Sequence, residues 1–130
     1  MHMDKNSKLK FMEWAKRAEE DITVAQLVLA ENGPPNQICF HAQQSAEKYL
    51  KGYLIFKEQK FEKVHQLRYL LELCARIEPS FEILKEDTLY LTRFYIETRY
   101  PSDNPDFTPS EAKRALGASL KIKEFILNKI

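Results

Sequence analysis

Apolar residues recur at intervals of three and four along most of the chain, the period of helices with one buried side. The densest stretch is Ile38 to Phe56, ICFHAQQSAEKYLKGYLIF. Ile38, Ala42, Ser45, Tyr49, Gly52 and Phe56 form one row, and Cys39, Ala46, Leu50, Tyr53 and Leu54 form a second. An arc this wide needs neighbours on more than one side, so this segment is predicted to be the central helix. Polar groups interrupt it along one edge: His41, Gln43, Gln44, Glu47, Lys48 and Lys51.

The flanking segments follow the same period. Phe11, Trp14, Ala18, Ile22, Ala25 and Leu29 predict a first helix over residues 7–31. Asn32-Gly33 offers a left-handed residue to end it, and Pro34-Pro35 forbids continuation. Either Asn36 as a cap or Pro35 in the first turn starts the central helix, which is predicted to run to Gln59. Leu67, Leu70, Leu71 and Cys74 mark a shorter helix over residues 65–77, broken by Pro79. Phe81, Leu84, Thr88, Leu91 and Tyr95 mark a fourth, reaching Thr98, with Tyr90 and Phe94 widening its face. Residues 100–107 are turn-rich, with two prolines, Asn and Asp. Thr108-Pro109-Ser110-Glu111 then has the spacing of a capping box. Ala112, Ala115, Leu116, Ser119, Ile122 and Ile126 give the last helix its apolar side.

No segment alternates as a half-buried strand does, and no repeat or interdomain linker is visible. Short joints favour antiparallel neighbours. The predicted fold is all-α, an up-and-down antiparallel helical bundle of four long helices plus a shorter helix. It forms one domain over residues 1–130, with its core over 8–128.

Composition changes this picture little but excludes several function classes. Apolar residues make up 44% and charged residues 30% of 130 residues, ordinary for a globular chain. Twenty basic and nineteen acidic residues leave a formal charge of +1, so no global field draws in nucleic acid or an anionic membrane, and any such binding needs a local patch. There is no DNA-binding signature. No apolar run has membrane-spanning length and no signal peptide opens the chain. Cys39 and Cys74, both in helical segments, read as reduced core thiols, and a cytoplasmic location is expected. Neither belongs to a CxxC pair, and HxxxH and HExxH are absent, so no metal site is expected. No glycine-rich phosphate loop and no other cofactor signature occurs.

Three places carry candidate chemistry. His41, Gln44 and Lys48 share one helical face, and Glu47 with Lys51 is an i,i+4 pair of the favourable order. That edge reads either as a solvated face or as a polar seam towards a ligand or a second subunit. His65, at the start of the third helix, either positions that helix by a hydrogen bond or acts as a general base, since its charge changes near neutral pH. In Glu97-Thr98-Arg99-Tyr100-Pro101-Ser102-Asp103, Arg99 either grips a phosphate or carboxylate or bonds the last helix carbonyls.

Four pieces together resemble the HEPN domain family (higher eukaryotes and prokaryotes nucleotide-binding domain), in its prokaryotic stand-alone form. They are Trp14 with Ala18-Glu-Glu-Asp21, Cys39-Phe-His-Ala-Gln-Gln-Ser-Ala-Glu-Lys-Tyr-Leu-Lys51, Val64-His65-Gln-Leu67, and Thr98-Arg-Tyr-Pro101. The resemblance implies a helical up-and-down bundle that forms a homodimer. It also implies a role beside a minimal nucleotidyltransferase protein in a toxin–antitoxin-like pair, and binding of a nucleotide or of RNA phosphate. By position it carries over Gln43, Glu47, Lys51, His65, Arg99, Tyr100 and Asp103 as ligand-binding candidates. Ribonuclease members of the family carry an Arg followed after four to six residues by a His. Here the last histidine is His65, and no arginine has a His at that distance. The chain departs from the cleavage motif; Arg99 and His65, or Arg99 with His41, are the candidates for a catalytic role in a rearranged site. Two alternatives stay open: a metal-independent ribonuclease toxin with a rearranged site, and a non-catalytic dimeric interaction module.

Overall fold

The segment with two apolar rows is the hub of the molecule. A computed structural model describes residues 5–95 and 106–130, and holds five α-helices with no strand among those residues. In chain order they are α1 (Lys5–Ala30), α2 (Pro35–Phe56), α3 (Leu67–Ile77), a 3-10 helix (Pro79–Leu84), α4 (Lys85–Thr92) and α5 (Pro109–Leu127). Each of the other four α-helices packs on α2. Every member of both its apolar rows is buried. The all-α, up-and-down architecture follows from that sequence pattern. Full burial of a side chain such as Ile22, Leu50 or Leu54 removes apolar surface worth roughly 1.5–3 kcal/mol each.

α1 and α2 come close together at Gly52. A Cβ added there would lie 3.0 Å from Trp14 Cβ and 3.3 Å from a Phe11 ring carbon. Absence of a side chain lets the two backbones approach and fixes where Trp14 emerges. Glu19 adds a polar tie between three helices. Its carboxylate accepts from the Tyr49 hydroxyl of α2 at 3.2 Å and pairs with Lys123 of α5 at 2.7 Å.

Helix ends show where local chemistry sets the joints. Asn32, not Gly33, takes the left-handed conformation after α1 (φ 55°). Gly33 is required for closeness instead, since its amide bonds Val28 O at 2.8 Å and a Cβ would sit 2.8 Å from Val28 Cγ1. Of the two starts considered for α2, Pro35 occupies the first turn. Asn36 turns away and accepts the amide of Phe107 at 2.8 Å, fastening the start of α2 to the approach to α5. The capping box at Thr108 and Glu111 forms as its spacing predicts, with both reciprocal bonds present at 3.0 and 3.1 Å.

Four boundaries differ from the periodicity. α2 stops at Phe56 rather than Gln59, because Glu58 adopts a left-handed backbone (φ 55°) and the Gln59 amide returns to Leu54 O at 2.9 Å. α3 starts at Leu67 rather than His65, whose ring is drawn to Glu47. The fourth helix opens as a tight 3-10 turn. Glu78 is extended, Pro79 has no N–H to give, and Phe81 bonds Glu78 O at 3.0 Å, so α geometry begins only at Lys85. This helix also ends early: α4 closes at Thr92, the Phe94 amide returns to Leu91 O at 3.0 Å, and residues 93–95 are no longer helical, short of the predicted Thr98, which itself lies outside the described residues.

Candidate functional site

The polar edge of α2 is not solvated decoration. Glu47 and Lys51 are both nearly buried, and the Lys51 ammonium donates to Glu47 Oε2 at 3.0 Å. The same carboxylate holds His65 from the joint before α3, with Nδ1 3.2 Å from Oε1 and 3.1 Å from Oε2. An ionised carboxylate only accepts, so Nδ1 carries the proton and Nε2 of a neutral ring is left as an acceptor. The opposite constraint comes from Tyr95, whose ring stacks on His65 at 4.7 Å between centroids and 16° between planes. One buried acid therefore positions a lysine and a histidine, and an aromatic ring fixes the plane of the histidine.

Lys51 and His65 open onto a cleft of about 960 Å³ between α1, the end of α2 and the α2–α3 joint. Such a volume fits a small molecule or part of a polymer. Lys10, Lys60 and Lys63 also line it and make no ion pair among the described residues. Trp14, Ile55 and Phe61 supply apolar surface, and Glu58 is the single acid in the wall. Although the chain as a whole is nearly neutral, its cleft is basic. The cleft can neutralise phosphate charge with ammonium groups and cover a flat ring with indole or phenyl.

A second buried acid repeats the arrangement one turn back along α2. Asp21 of α1 accepts from His41 Nδ1 at 2.8 Å and from Lys48 Nζ at 2.5 Å. His41 and Lys48 thus face α1, as spacing on one helical face predicts, and Asp21 is their shared partner.

The other candidates fall elsewhere. Gln43 is fully buried; its Oε1 accepts from Gln44 Nε2 at 2.7 Å, and it lines no part of the cleft. Arg99, Tyr100 and Asp103 lie outside the described residues. Sequence reasoning missed Asp21 and the cleft lysines. Asp21 was detectable, because it lies in phase with Ala18 and Ala25 on the apolar stripe, where a lone acid needs a partner. Lys60, Phe61 and Lys63 carry only a local signal, an aromatic between cations in a joint without periodicity.

Burial raises the titration of three core groups. The Cys39 thiol is pushed up to about 11 and the Tyr53 phenol to about 12 by desolvation, and Cys74 is raised further for the same reason. Both thiols are buried and free. Among the described residues no cluster of His, Cys, Asp and Glu has the geometry to hold a metal ion, and no helix is long and apolar enough to cross a membrane.

A family model of the HEPN domain matches residues 11–130. Among solved structures, TT1696 from Thermus thermophilus is similar at 31% identity and a TM-score of 0.77, over 93% of this chain and 98% of that one. ST0689, an archaeal HEPN homologue, matches with 21% identity and a TM-score of 0.73, over 92% of this chain and 97% of that one, a likeness of fold. No curated protein matches.

Proposed function

The chain belongs to the HEPN domain family, and from that premise we propose that it binds a nucleotide, or the phosphate of an RNA, in the basic cleft, as the partner of a minimal nucleotidyltransferase in a toxin–antitoxin-like pair. The observation that carries the binding reading is the convergence of Lys51 and His65 on buried Glu47, beside Lys10, Lys60 and Lys63. Lys51 is held in place before a ligand arrives, so little side-chain entropy is lost when it meets a phosphate oxygen. The unpaired lysines supply charge, and Trp14 and Phe61 supply the surface on which a base rests. Arg99, four residues after Tyr95 in the sequence, is kept as a ligand candidate on the family resemblance alone.

Calorimetric titration of nucleoside mono- and triphosphates and a short RNA tests this. Wild-type protein is expected to bind. Lys63→Ala and Arg99→Ala are each expected to weaken binding about tenfold to a hundredfold, the size of one charge-assisted hydrogen bond. Negligible binding by wild type and variants alike overturns the reading. The pairing is tested by co-expression with a small nucleotidyltransferase encoded beside this chain: a stable complex on gel filtration supports it and separate elution counts against it. A homodimer, the usual state in the family, is read from light-scattering mass in the same run.

A second reading draws on one feature of His65. Its Nδ1–H is committed to Glu47, so Nε2 is the nitrogen able to take a proton from a ribose hydroxyl, with a lysine nearby for the phosphate. Under this reading the protein cleaves RNA in the presence of a chelator, and His65→Ala abolishes cleavage. Intact RNA after prolonged incubation with wild-type protein rules it out.

A further inference from the structure

Trp14 lines more than the basic cleft. It also forms part of a second hollow, of about 470 Å³, whose wall includes Lys16, Arg17 and Lys48. Lys10, Trp14 and Arg17 are spaced by four and three residues and form one stripe on α1. Lys48 and Lys51 stand three apart on α2. The indole is thus flanked by cations on both helices and in both directions along them.

These cations are held ready in two ways. Lys51 is braced by Glu47, Lys48 by Asp21 and Arg17 by Glu20, each brace lying behind or beside the hollow. Lys10, Lys16, Lys60 and Lys63 make no ion pair among the described residues. Each hollow has a single unpaired acid in its wall, Glu58 or Glu13. The base of the Trp14 side chain is held close to α2 at Gly52, where an added Cβ would lie 3.0 Å from Trp14 Cβ.

Lys10 and Arg17 are seven residues apart, about 10 Å along the helix axis. Two phosphates on either side of a nucleoside can meet one cation each, with the base resting on the indole between them. Stacking on Trp14 needs an unpaired base, which a duplex does not offer.

We propose that the two hollows form one track for a single-stranded nucleic acid, with a base stacked on Trp14 and successive phosphates held by Lys10, Lys51 and Lys63 on one side and by Arg17, Lys16 and Lys48 on the other. This rests on the nucleotide-binding reading above and adds that the occupant is a polymer longer than one nucleotide.

Fluorescence anisotropy with labelled mononucleotide, octanucleotide and duplex probes tests the track. The octanucleotide is expected to bind at least about tenfold more tightly than the mononucleotide, with a steeper loss of affinity as salt rises. Lys16→Glu is expected to remove that gain and leave mononucleotide binding unchanged, whereas Lys63→Glu weakens both. Trp14→Ala should lose octanucleotide affinity about tenfold, and Trp14→Phe, which keeps a stacking face and the fold, should retain most of it. RNA and DNA octamers of one sequence distinguish a track that reads the 2′-hydroxyl from one that reads the backbone alone. Equal affinity for mononucleotide and octanucleotide, with no effect of Lys16→Glu, overturns the track while leaving the cleft reading intact. Duplex binding as tight as single-strand binding overturns it also. If no probe binds, both readings fail together.

Discussion

Glu47 decides the site at the scale of single residues. It is 4% exposed and has two cationic or protonated partners, so its loss strands Lys51, itself 8% exposed, without a counter-charge. Glu47→Ala is expected to destabilise the fold by about 3 kcal/mol, as breaking a buried pair does. Adding Lys51→Ala should restore part of that, because the stranded charge is gone; urea unfolding of the two single variants and the double variant measures the coupling. The thiols give a prediction with a pH sign. Cys39 ionises near 11 when folded, against 9.0 for a free thiol, so the folded state is favoured fully below about 9 and loses that advantage as pH rises towards 11. At pH 8 neither Cys39 nor Cys74 should react with an aromatic disulfide reagent until the chain opens, and both should react in denaturant. Fast labelling of native protein would contradict the burial of both. At this scale the sequence was legible where geometry is local: Glu47 and Lys51 pair as i,i+4 spacing requires. Their link to His65, eighteen residues on, depends on tertiary packing, which periodicity does not encode.

At the scale of elements, the helices were readable because their apolar rows are long and in phase, and their ends were readable where a side chain does the capping. Thr108 and Glu111 show this, and Thr108→Ala is expected to cost about 1 kcal/mol by removing one half of the box. The bonds from Thr108 hold the Glu111 carboxyl below its usual range, so their contribution is present at neutral pH and fades in acid. Thermal melts of Glu111→Ala, which removes the titrating half of the box, and wild type should therefore draw together as the pH falls through the acid range. The end of α2 was not readable, because Glu58 adopts a conformation that the sequence would assign to glycine. A non-glycine residue there costs about 1–2 kcal/mol. Glu58→Gly is expected to raise stability by up to about 1 kcal/mol, allowing for the entropy glycine adds to the unfolded chain, and to strengthen anion binding by removing the acid from the cleft wall. A lower Tm for this variant would show that the Glu58 side chain contributes more than its backbone costs.

Across the whole molecule, a near-neutral charge concealed an uneven distribution. Lysines of α1, α2 and the α2–α3 joint gather on one side only when the helices pack, so the composition argued correctly against a global field and could not show the local one. The same packing fastens the described stretches on either side of residues 96–105. Phe94 and Phe107 meet edge to face at 4.8 Å, and Asn36 holds the Phe107 amide. Asn36→Ala should therefore cost about 1 kcal/mol or more, which differential scanning calorimetry measures. In this way one asparagine ties together stretches that are 71 residues apart in the chain. A single amide thus does for the joint between helices what a capping side chain does for one helix end, and its loss loosens the approach to α5 without touching a core side chain.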